Sequence, residues 1–472
     1  MKRALHSYRC LLLQPYRRVI ASPSCNQGTI QPGRRLISAT LNPEASTSTT
    51  SSDGHANGGI PPPTHLDADT HADTMSRIQQ DNQYLLQMYP RPNLIFTHGT
   101  GCLLYDLGGR PYLDLNSGIA VSALGHGDAH LQAVIADQAT KLIHLSNLYH
   151  NEYAGALARM LVEALGNRGK WAATSENGGT RVFLCNSGTE ANEGAMKFAR
   201  KWGKQAHQKA KEGKHDIISF SHAFHGRSFG SLSATPNSKY QSPFTPLMPG
   251  FTSIPFNDIE KAMSTINEKT CAVLVEPIQG EGGVIPASQE FLSALREKCD
   301  DVGALLIFDE VQCGLAKPLA NGIPAGAILV SPRVASILKP GDHGTTFGGS
   351  PFASRVAIDV LKRINNPAFL QHVSETGKYF KSKLQEIADS TPLIKEVRGR
   401  GLLIGVQLRD GVDANMFVDE ARERGILLIT AGNNTIRIVP PLIITSKEVD
   451  QAVNVIEDVV SELETQYASG RV

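Results

Sequence analysis

Short apolar runs alternate with amphipathic stretches through the middle of the chain. Four runs, several of them rich in β-branched residues, predict strands at residues 181–184, 217–220, 272–275 and 304–308. Apolar positions at helical spacing predict helices at residues 129–145 and 154–165. Continuous apolar runs are typical of parallel strands that are buried on both faces, and helices among them give βαβ units. The pattern therefore predicts an α/β fold with a mostly parallel sheet.

The C-terminal part of the chain has a different pattern. Strands are predicted at residues 402–408 and 435–439, and helices at residues 417–424 and 447–463. Such a mixture suits a smaller α+β domain.

The N-terminal region does not have the composition of a folded domain. Residues 1–43 contain seven Lys and Arg but no acid, and residues 38–74 are rich in Ser, Thr, Pro and Gly. A basic, Ser-containing, acid-free start is typical of an organelle transit peptide, with a disordered basic tail as the alternative. The apolar run at residues 11–13 is too short for a secretory signal. We expect a transit peptide at 1–43, a disordered linker at 44–75, and a mitochondrial matrix protein.

Charge and composition exclude several classes of function. The chain has 46 basic and 45 acidic residues, but without residues 1–43 the balance is 39 to 45. A mildly acidic body with no basic stripe argues against nucleic acid as a partner. No stretch approaches the roughly 18 consecutive apolar residues of a membrane span. The seven cysteines lack CxxC pairs and zinc-ligand spacing, so we expect reduced thiols and no metal.

Four motifs follow or adjoin the predicted strands. Ser187, Gly188 and Thr189 lie between a strand and a helix, where free N–H groups suit a phosphate, although the same residues also make an ordinary helix cap. Asp309 ends a hydrophobic strand, where a carboxylate is costly unless it is paired. Lys317 lies among apolar, Gly and Pro residues, either as a surface residue or as an amine suited to imine chemistry.

The fourth motif contains an aromatic ring and an arginine. Phe224 can stack on a flat ring, and Arg227 can bind a carboxylate as a fork, although a polar loop with a packed Phe is the simpler alternative. Together the four motifs supply a phosphate cradle, a stacking ring, an anion for a pyridinium nitrogen and an amine. Pyridoxal phosphate needs this set.

The ordered motifs resemble a known family. They occur as NSGTEANE, FHGR, EPIQGEGG, FDEVQ, AKPLANG and HGTTFGG, and they resemble the class III, fold-type-I aminotransferases, which use pyridoxal phosphate. The resemblance covers roughly residues 80–465. Within the class, the segments SNLYH and TIRIVPPL are most similar to the acetylornithine aminotransferase branch, with ornithine and 4-aminobutyrate aminotransferases as alternatives.

The resemblance implies a role for each cofactor-binding residue. Lys317 would bind the cofactor covalently and move the substrate proton, while Asp309 would keep the pyridine nitrogen protonated. Gln312 would contact the ring oxygen and Phe224 would stack on the ring. The phosphate would be held by Ser187, Gly188 and Thr189, and by Thr346 of the partner subunit in a homodimer.

The resemblance also implies how small-molecule substrates bind. Arg227 would take the α-carboxylate of acetylornithine, with Thr345 in the same pocket. Arg437 resembles the family's second carboxylate-binding arginine and would take the α-carboxylate of glutamate or 2-oxoglutarate, where an ω-amino substrate presents only an aliphatic chain. Glu281 would mask Arg437 when acetylornithine is bound.

One departure from the family concerns the connection between Asp309 and Lys317. These residues are eight positions apart, whereas family members place a much longer segment between them. Eight residues can span about 27 Å, but a crossover between parallel neighbours needs about a dozen residues or more. We expect an internal deletion near residues 314–316, a disturbed sheet and weak cofactor binding, so that a catalytically impaired variant is an alternative reading.

The resemblance implies a division into two domains. The large cofactor-binding domain would span residues 146–362. The small domain would combine residues 76–145 with residues 363–472, and so would be built from both ends of the folded chain.

Overall fold

The computed structural model describes residues 64–165, 179–206, 213–314 and 318–469. The transit peptide expected at 1–43, most of the linker expected at 44–75, and Lys317 lie outside the described residues. All described residues belong to one unit, residues 59–472. None of the helices within these ranges is both long and apolar enough to cross a membrane.

The described residues form sixteen strands. They are β1 Phe96–Thr100, β2 Leu103–Asp106, β3 Pro111–Asp114, β4 Arg181–Cys185, β5 Asp216–Phe220, β6 Phe251–Ile254, β7 Thr270–Val275, β8 Ile278–Gln279, β9 Ile285–Pro286, β10 Leu305–Phe308, β11 Gly326–Val330, β12 Ile394–Arg400, β13 Leu403–Leu408, β14 Ile426–Leu427, β15 Ile429–Ala431 and β16 Thr435–Ile438.

Fourteen α-helices accompany these strands in the described residues. They are α1 Ala72–Asp81, α2 Ser117–Ala120, α3 Ala129–Ala139, α4 Ala154–Ala164, α5 Gly188–Ala206, α6 Phe229–Ser233, α7 Ser238–Gln241, α8 Ile259–Thr265, α9 Gln289–Val302, α10 Pro332–Ala335, α11 Pro351–Ile364, α12 Pro367–Ser390, α13 Ala414–Arg422 and α14 Ser446–Ala468.

Four strands in the middle of the chain form a parallel sheet. Its strand order is β10-β7-β5-β6, and every neighbouring pair is parallel. All six residues of β7 are buried, as its continuous apolar run predicts. Phe291 and Leu295 of α9 pack with one group of core residues of this sheet, whereas Met196 and Ala199 of α5 pack with another. The predicted α/β class is confirmed.

Two further strands form a separate antiparallel pair. β11 pairs with β4 in the register Gly326↔Cys185, and α5 packs on β11 as well as on β7. No backbone pairing joins β10 to β11 in the part of the chain that the structure describes. The stretch between them, residues 309–325, contains no strand in its described residues, so the parallel sheet ends at β10.

The two ends of the described chain combine in one α+β region. β12, β13, β16 and β15 form an antiparallel sheet, and the C-terminal strand β14 joins the N-terminal strands β1–β3 by parallel pairing with β3. Leu113 of β3 shares a core with Phe380 of α12, Phe417 of α13 and Ile456 of α14. A capping box of Thr445 and Glu448 starts α14.

Helix α3 ends six residues before the predicted boundary of 145. The Thr140 hydroxyl donates to the carbonyl of Asp137, and the Gln138 side chain donates to the carbonyl of Leu142. The first bond satisfies a carbonyl in the last turn of the helix, and the second holds the segment just beyond the helix end. Leu142 and Ile143, which continue the helical spacing, are 41% and 58% exposed. Their apolar side chains therefore face away from the core.

The free edge of β10 predicts unequal amide exchange along that strand. The Asp309 N–H donates to the Val275 carbonyl, so the N–H of Ile307 also faces β7 and that of Phe308 faces the other edge. We expect the Phe308 amide to exchange about a hundredfold faster than the Ile307 amide, measured by hydrogen exchange at single-residue resolution.

The central strand β7 provides the matched control. Val273 and Leu274 should be protected equally, because β10 and β5 flank this strand. Equal protection of Ile307 and Phe308 would mean that β10 has a partner on both edges, which would contradict its position at the edge of the sheet.

Candidate active site

Two carboxyl groups lie at the ends of neighbouring parallel strands. Asp309 follows β10 and Glu276 follows β7, and the last residues of these strands, Phe308 and Val275, are in register. Both acidic side chains are buried. Open α/β sheets bind their ligands at the carboxyl ends of the strands. Asp309 therefore lies where the sequence predicted a ligand site.

The Asp309 carboxylate is surrounded by hydrogen-bond donors from three elements. His225 Nδ1 donates at 2.7 Å and Asn192 Nδ2 at 2.8 Å to the same oxygen, while the Val311 N–H donates to the other at 2.9 Å. Burial opposes ionisation, but the bonds from His225, Val311 and Asn192 hold the pKa of Asp309 below its ordinary value. Asp309 is therefore an anion at neutral pH.

Glu276 has the opposite shift. Burial, and then the negative charge of Asp309, raise its pKa well above the ordinary value. Its two oxygens accept hydrogen bonds from the N–H groups of Phe224 at 3.1 Å and Gly280 at 3.3 Å. The pKa values of the two carboxyl groups are thus shifted in opposite directions, so the two groups are suited to different tasks.

The first turn of α5 lies against the segment that follows Asp309. A Cβ atom on Gly188 would lie 2.4 Å from a methyl carbon of Val311, so this close approach requires glycine. The Ser187 hydroxyl accepts from the Glu190 N–H, and the Thr189 hydroxyl bonds the Ser228 hydroxyl at 2.8 Å. The turn predicted to hold a phosphate is therefore next to Asp309.

Phe224 and Arg227 lie on the loop after β5, together with His225. The guanidinium carbon of Arg227 lies 3.9 Å from the ring centroid of Tyr240 and 5.6 Å from that of Phe224. Arg227 is exposed, and among the described residues no carboxylate pairs with it. The arginine is held by aromatic rings and remains available to an anion.

A second arginine is buried beneath an acid. Arg437 in β16 is 1% exposed, and its Nη2 donates to Glu281 at 3.0 Å. Its Nη1 donates to the Gln312 side-chain oxygen, also at 3.0 Å. Burial lowers the pKa of Arg437, and Glu281 opposes this effect. Glu281 and Arg437 thus lie in contact, and Gln312 is a partner of Arg437 that the sequence did not indicate.

Thr345 and Thr346 have different surroundings. The Thr345 hydroxyl accepts from the Asn186 side chain at 3.1 Å, directly before the α5 turn. Thr346 is exposed. Lys317 lies outside the described residues, so of the sequence-predicted residues it alone has no described position. In the described ranges no group of three or more His, Cys, Asp and Glu could hold a metal ion.

Sequence reasoning missed four residues of this site. Asn192 and His225 lie within recognised motifs, but nothing local marks them as partners of Asp309. Glu276 could have been found, because it follows a buried strand as Asp309 does. Tyr240 lies in the four-residue helix α7, which is too short to have a readable pattern.

Comparison with known proteins identifies the family. The model of the class III aminotransferases matches residues 87–317 and 315–460. The chain belongs to the class III aminotransferases. Its fold is that of the fold-type-I pyridoxal phosphate transferases.

Curated relatives in this class are similar over most of their length. The mitochondrial acetylornithine aminotransferase of Neurospora crassa is 44% identical over 423 residues, covering 84% of this chain and 89% of that protein. That of Debaryomyces hansenii is 45% identical over 405 residues, covering 80% of this chain and 85% of that protein.

Solved structures of class III enzymes also match. An ornithine aminotransferase from Toxoplasma gondii has a TM-score of 0.77 and 29% identity, covering 83% of this chain and 95% of that one. The N-acetylornithine aminotransferase from Stenotrophomonas maltophilia K279a has a TM-score of 0.68 and 32% identity, covering 82% of this chain and 99% of that one.

The described residues fit the cofactor of this class, pyridoxal phosphate. An ionised, buried Asp309 suits a protonated ring nitrogen, and one of its oxygens accepts only from Val311 within the described residues. The first turn of α5 suits the phosphate. Phe224 offers an aromatic face on the same loop as His225.

Removal of His225 tests the electrostatics of the site. His225→Ala leaves the buried Asp309 anion short of one donor, so we expect the free energy of unfolding at pH 7 to fall by about 2–4 kcal/mol, measured by urea denaturation. Because the pKa of Asp309 is lowered in the folded state, its stabilisation is present above the unfolded pKa of about 3.9 and is lost as the pH falls. The alanine variant should therefore lose less stability than the native protein between about pH 5 and pH 3.

The variant His225→Asn is the matched control. Its amide can still donate a hydrogen bond, so it should be more stable than His225→Ala at pH 7. Equal stability of the native protein and both variants would contradict the proposed pairing.

Proposed function

We propose that this chain transfers the amino group of N-acetylornithine to 2-oxoglutarate, giving N-acetylglutamate 5-semialdehyde and glutamate, as in arginine biosynthesis. The observation that carries the proposal is a buried Asp309 with a lowered pKa beside the N-terminus of α5, together with Arg437, which Glu281 masks, and the exposed Arg227, which pairs with no carboxylate in the described residues. The 44–45% identity to relatives named acetylornithine aminotransferase supports this substrate.

In this proposal each described residue has one task toward the cofactor. Pyridoxal phosphate, when bound, supplies an aldehyde for the amino group and an electron-withdrawing ring. Asp309 would hold the proton of the ring nitrogen, Phe224 would pack on the ring, and Gln312 would contact the ring oxygen. Ser187, Gly188 and Thr189 bind the phosphate. Lys317 is the covalent attachment point and the group that moves the substrate proton.

The two arginines would sort the substrates by their number of carboxylates. Arg227 binds the one α-carboxylate of N-acetylornithine, with Thr345 in the same pocket. The Glu281 carboxylate keeps Arg437 neutralised while the aliphatic part of this substrate lies near it. Glutamate and 2-oxoglutarate bring a second carboxylate, which takes the place of Glu281 on Arg437.

Glu281→Ala tests this sorting. Loss of the mask should raise the kcat/KM ratio for glutamate over N-acetylornithine by about tenfold, measured in steady-state assays with each amino donor.

Glu396→Ala is the control for that test, because Glu396 pairs with Arg398 at 2.9 Å as Glu281 pairs with Arg437. An unchanged donor ratio in Glu281→Ala, or an equal change in the control, would refute the masking role.

Ornithine and 4-aminobutyrate remain the alternative amino donors. The ornithine aminotransferase of T. gondii matches with a TM-score of 0.77, but its identity is 29%, well below the 44% of the N. crassa relative. The kcat/KM values for the three donors distinguish these activities. A preference for ornithine or 4-aminobutyrate would overturn the proposed substrate.

We also infer that a crossover segment is missing between Asp309 and Lys317, near residues 314–316. The two pieces of the family match meet at residues 315–317, and the parallel sheet ends at the strand just before this point. The N. crassa alignment runs over 423 residues, whereas 84% of this chain is about 396 residues, so the relative has residues without a counterpart here. These three observations support the alternative that this chain is a catalytically impaired variant.

Repair of the connection tests this inference. Insertion of the corresponding N. crassa segment between Gly314 and Leu315 should strengthen the binding of pyridoxal phosphate about tenfold or more, since the crossover would restore the ladder beside β10. The measurements are retention of the cofactor's visible absorption after gel filtration and the rate of transamination.

Pyridoxamine 5′-phosphate separates two causes of weak binding, because it lacks the aldehyde that Lys317 needs. Weaker binding of this compound by the original chain would place the defect in the ring and phosphate contacts. Full cofactor retention and full activity of the original chain would overturn the inference.

A homodimer accounts for a cluster of exposed apolar side chains near the site. Leu148, Tyr149 and Phe347 are 86%, 67% and 60% exposed, and their segments are joined because the Asn147 side chain donates to the carbonyls of Thr345 and Gly348. Exposed apolar patches of this kind mark interfaces. We propose that a second copy covers them, and that Thr346 of the partner subunit completes the phosphate site.

The division into domains and the cellular location remain proposals. The large domain would span residues 146–362, and the small domain residues 76–145 and 363–472. The basic start at residues 1–43 and the word mitochondrial in the relatives' names support import into the mitochondrial matrix.

A further inference from the structure

The buried guanidinium of Arg437 has two acceptors rather than one. Its two terminal nitrogens, Nη1 and Nη2, donate to Gln312 and Glu281, each at 3.0 Å. Its third nitrogen, Nε, is buried without a partner in the part of the chain described. A carboxylate that binds through both terminal nitrogens must therefore replace an amide as well as an acid.

The position of Gln312 depends on the turn that carries Glu281. A Cβ atom on Gly280 would lie 1.1 Å from the Gln312 side-chain oxygen, so any larger residue at position 280 would force the Gln312 side chain to shift. Glu276 accepts a hydrogen bond from the Gly280 N–H and so anchors the same turn. Gly280 thus leaves room for one acceptor of Arg437, the Gln312 side chain. The next residue, Glu281, is the other acceptor.

The two acceptors are chemically different. Glu281 is 36% exposed at its side chain and carries a charge that water can solvate when the pair opens. Gln312 is neutral and follows Asp309 by three positions, close to the proposed cofactor site. Because it is uncharged, Gln312 withholds a hydrogen-bonding position from a competing carboxylate without neutralising the arginine.

We infer that Gln312 is a second specificity-determining residue, which together with Glu281 keeps Arg437 from binding carboxylates. The inference rests on the proposed function of Arg437 as the site of the second carboxylate. It predicts that dicarboxylate substrates must displace both side chains, whereas N-acetylornithine displaces neither.

Binding of glutarate to the purified full chain tests this inference. Glutarate has two carboxylates and no amino group, so isothermal titration calorimetry reports binding without reaction. Gln312→Met keeps the length of the side chain but removes the strong acceptor, and the dissociation constant for glutarate should fall about three- to tenfold. Gln312→Leu, a second variant without an acceptor, should shift the affinity in the same direction. If Gln312 only filled space, both substitutions would instead weaken the binding of glutarate.

Two further variants separate the possible failures. Gln407→Met removes a glutamine that accepts from Arg398 at 2.6 Å, and it should leave the glutarate affinity unchanged.

Arg437→Leu should abolish glutarate binding, and unchanged binding would overturn the proposed role of Arg437 itself. If Arg437→Leu abolishes binding but neither folded Gln312 variant tightens it, or if Gln407→Met tightens it equally, the role of Gln312 is overturned while that of Arg437 stands. Absence of measurable binding in both the native chain and the Gln312 variants would also overturn the role of Gln312.

Discussion

A carboxylate that is charged and buried must be surrounded by donors, and the donors of Asp309 fix the arrangement of the site. Asn192 comes from α5, His225 from the loop after β5, and Val311 from the segment that follows Asp309 itself. These bonds join α5, the loop that carries Phe224 and the end of β10 at one carboxylate. The suitability of the site for a phosphorylated pyridine depends on this arrangement.

The acidic groups around Asp309 differ in their pKa values and in their partners. Glu276, at the end of the next strand, has a pKa raised by burial and by the charge of Asp309. Its oxygens are used to anchor the N–H groups of Phe224 and Gly280. The buried cation Arg437 is paired with Glu281. A cofactor with a cationic ring nitrogen would therefore meet the Asp309 anion at its ring.

Sequence patterns predicted those features that depend on local composition. The strand β7 is a continuous apolar run because it is buried on both faces, and Asp309 stands out because an acid follows such a run. Contacts between distant segments could not be predicted. Gln312 and Arg437 are 125 positions apart, and their contact depends on the absence of a side chain at Gly280. Leu142 continues the helical spacing of apolar residues in the sequence, but the helix ends before this residue and its side chain is exposed.

The division of the sheet has a direct consequence for the site. Ser187 follows β4 in the antiparallel pair, whereas Asp309 follows β10 in the parallel sheet, and no ladder joins the two sheets in the described residues. The distance between the phosphate turn and the ring-nitrogen partner is therefore set by side-chain contacts, among them the Asn192 bond to Asp309 and the packing of Val311 on Gly188. Side-chain contacts of this kind yield more easily than a backbone ladder, so we expect the short connection to weaken the site at the point where its two halves meet.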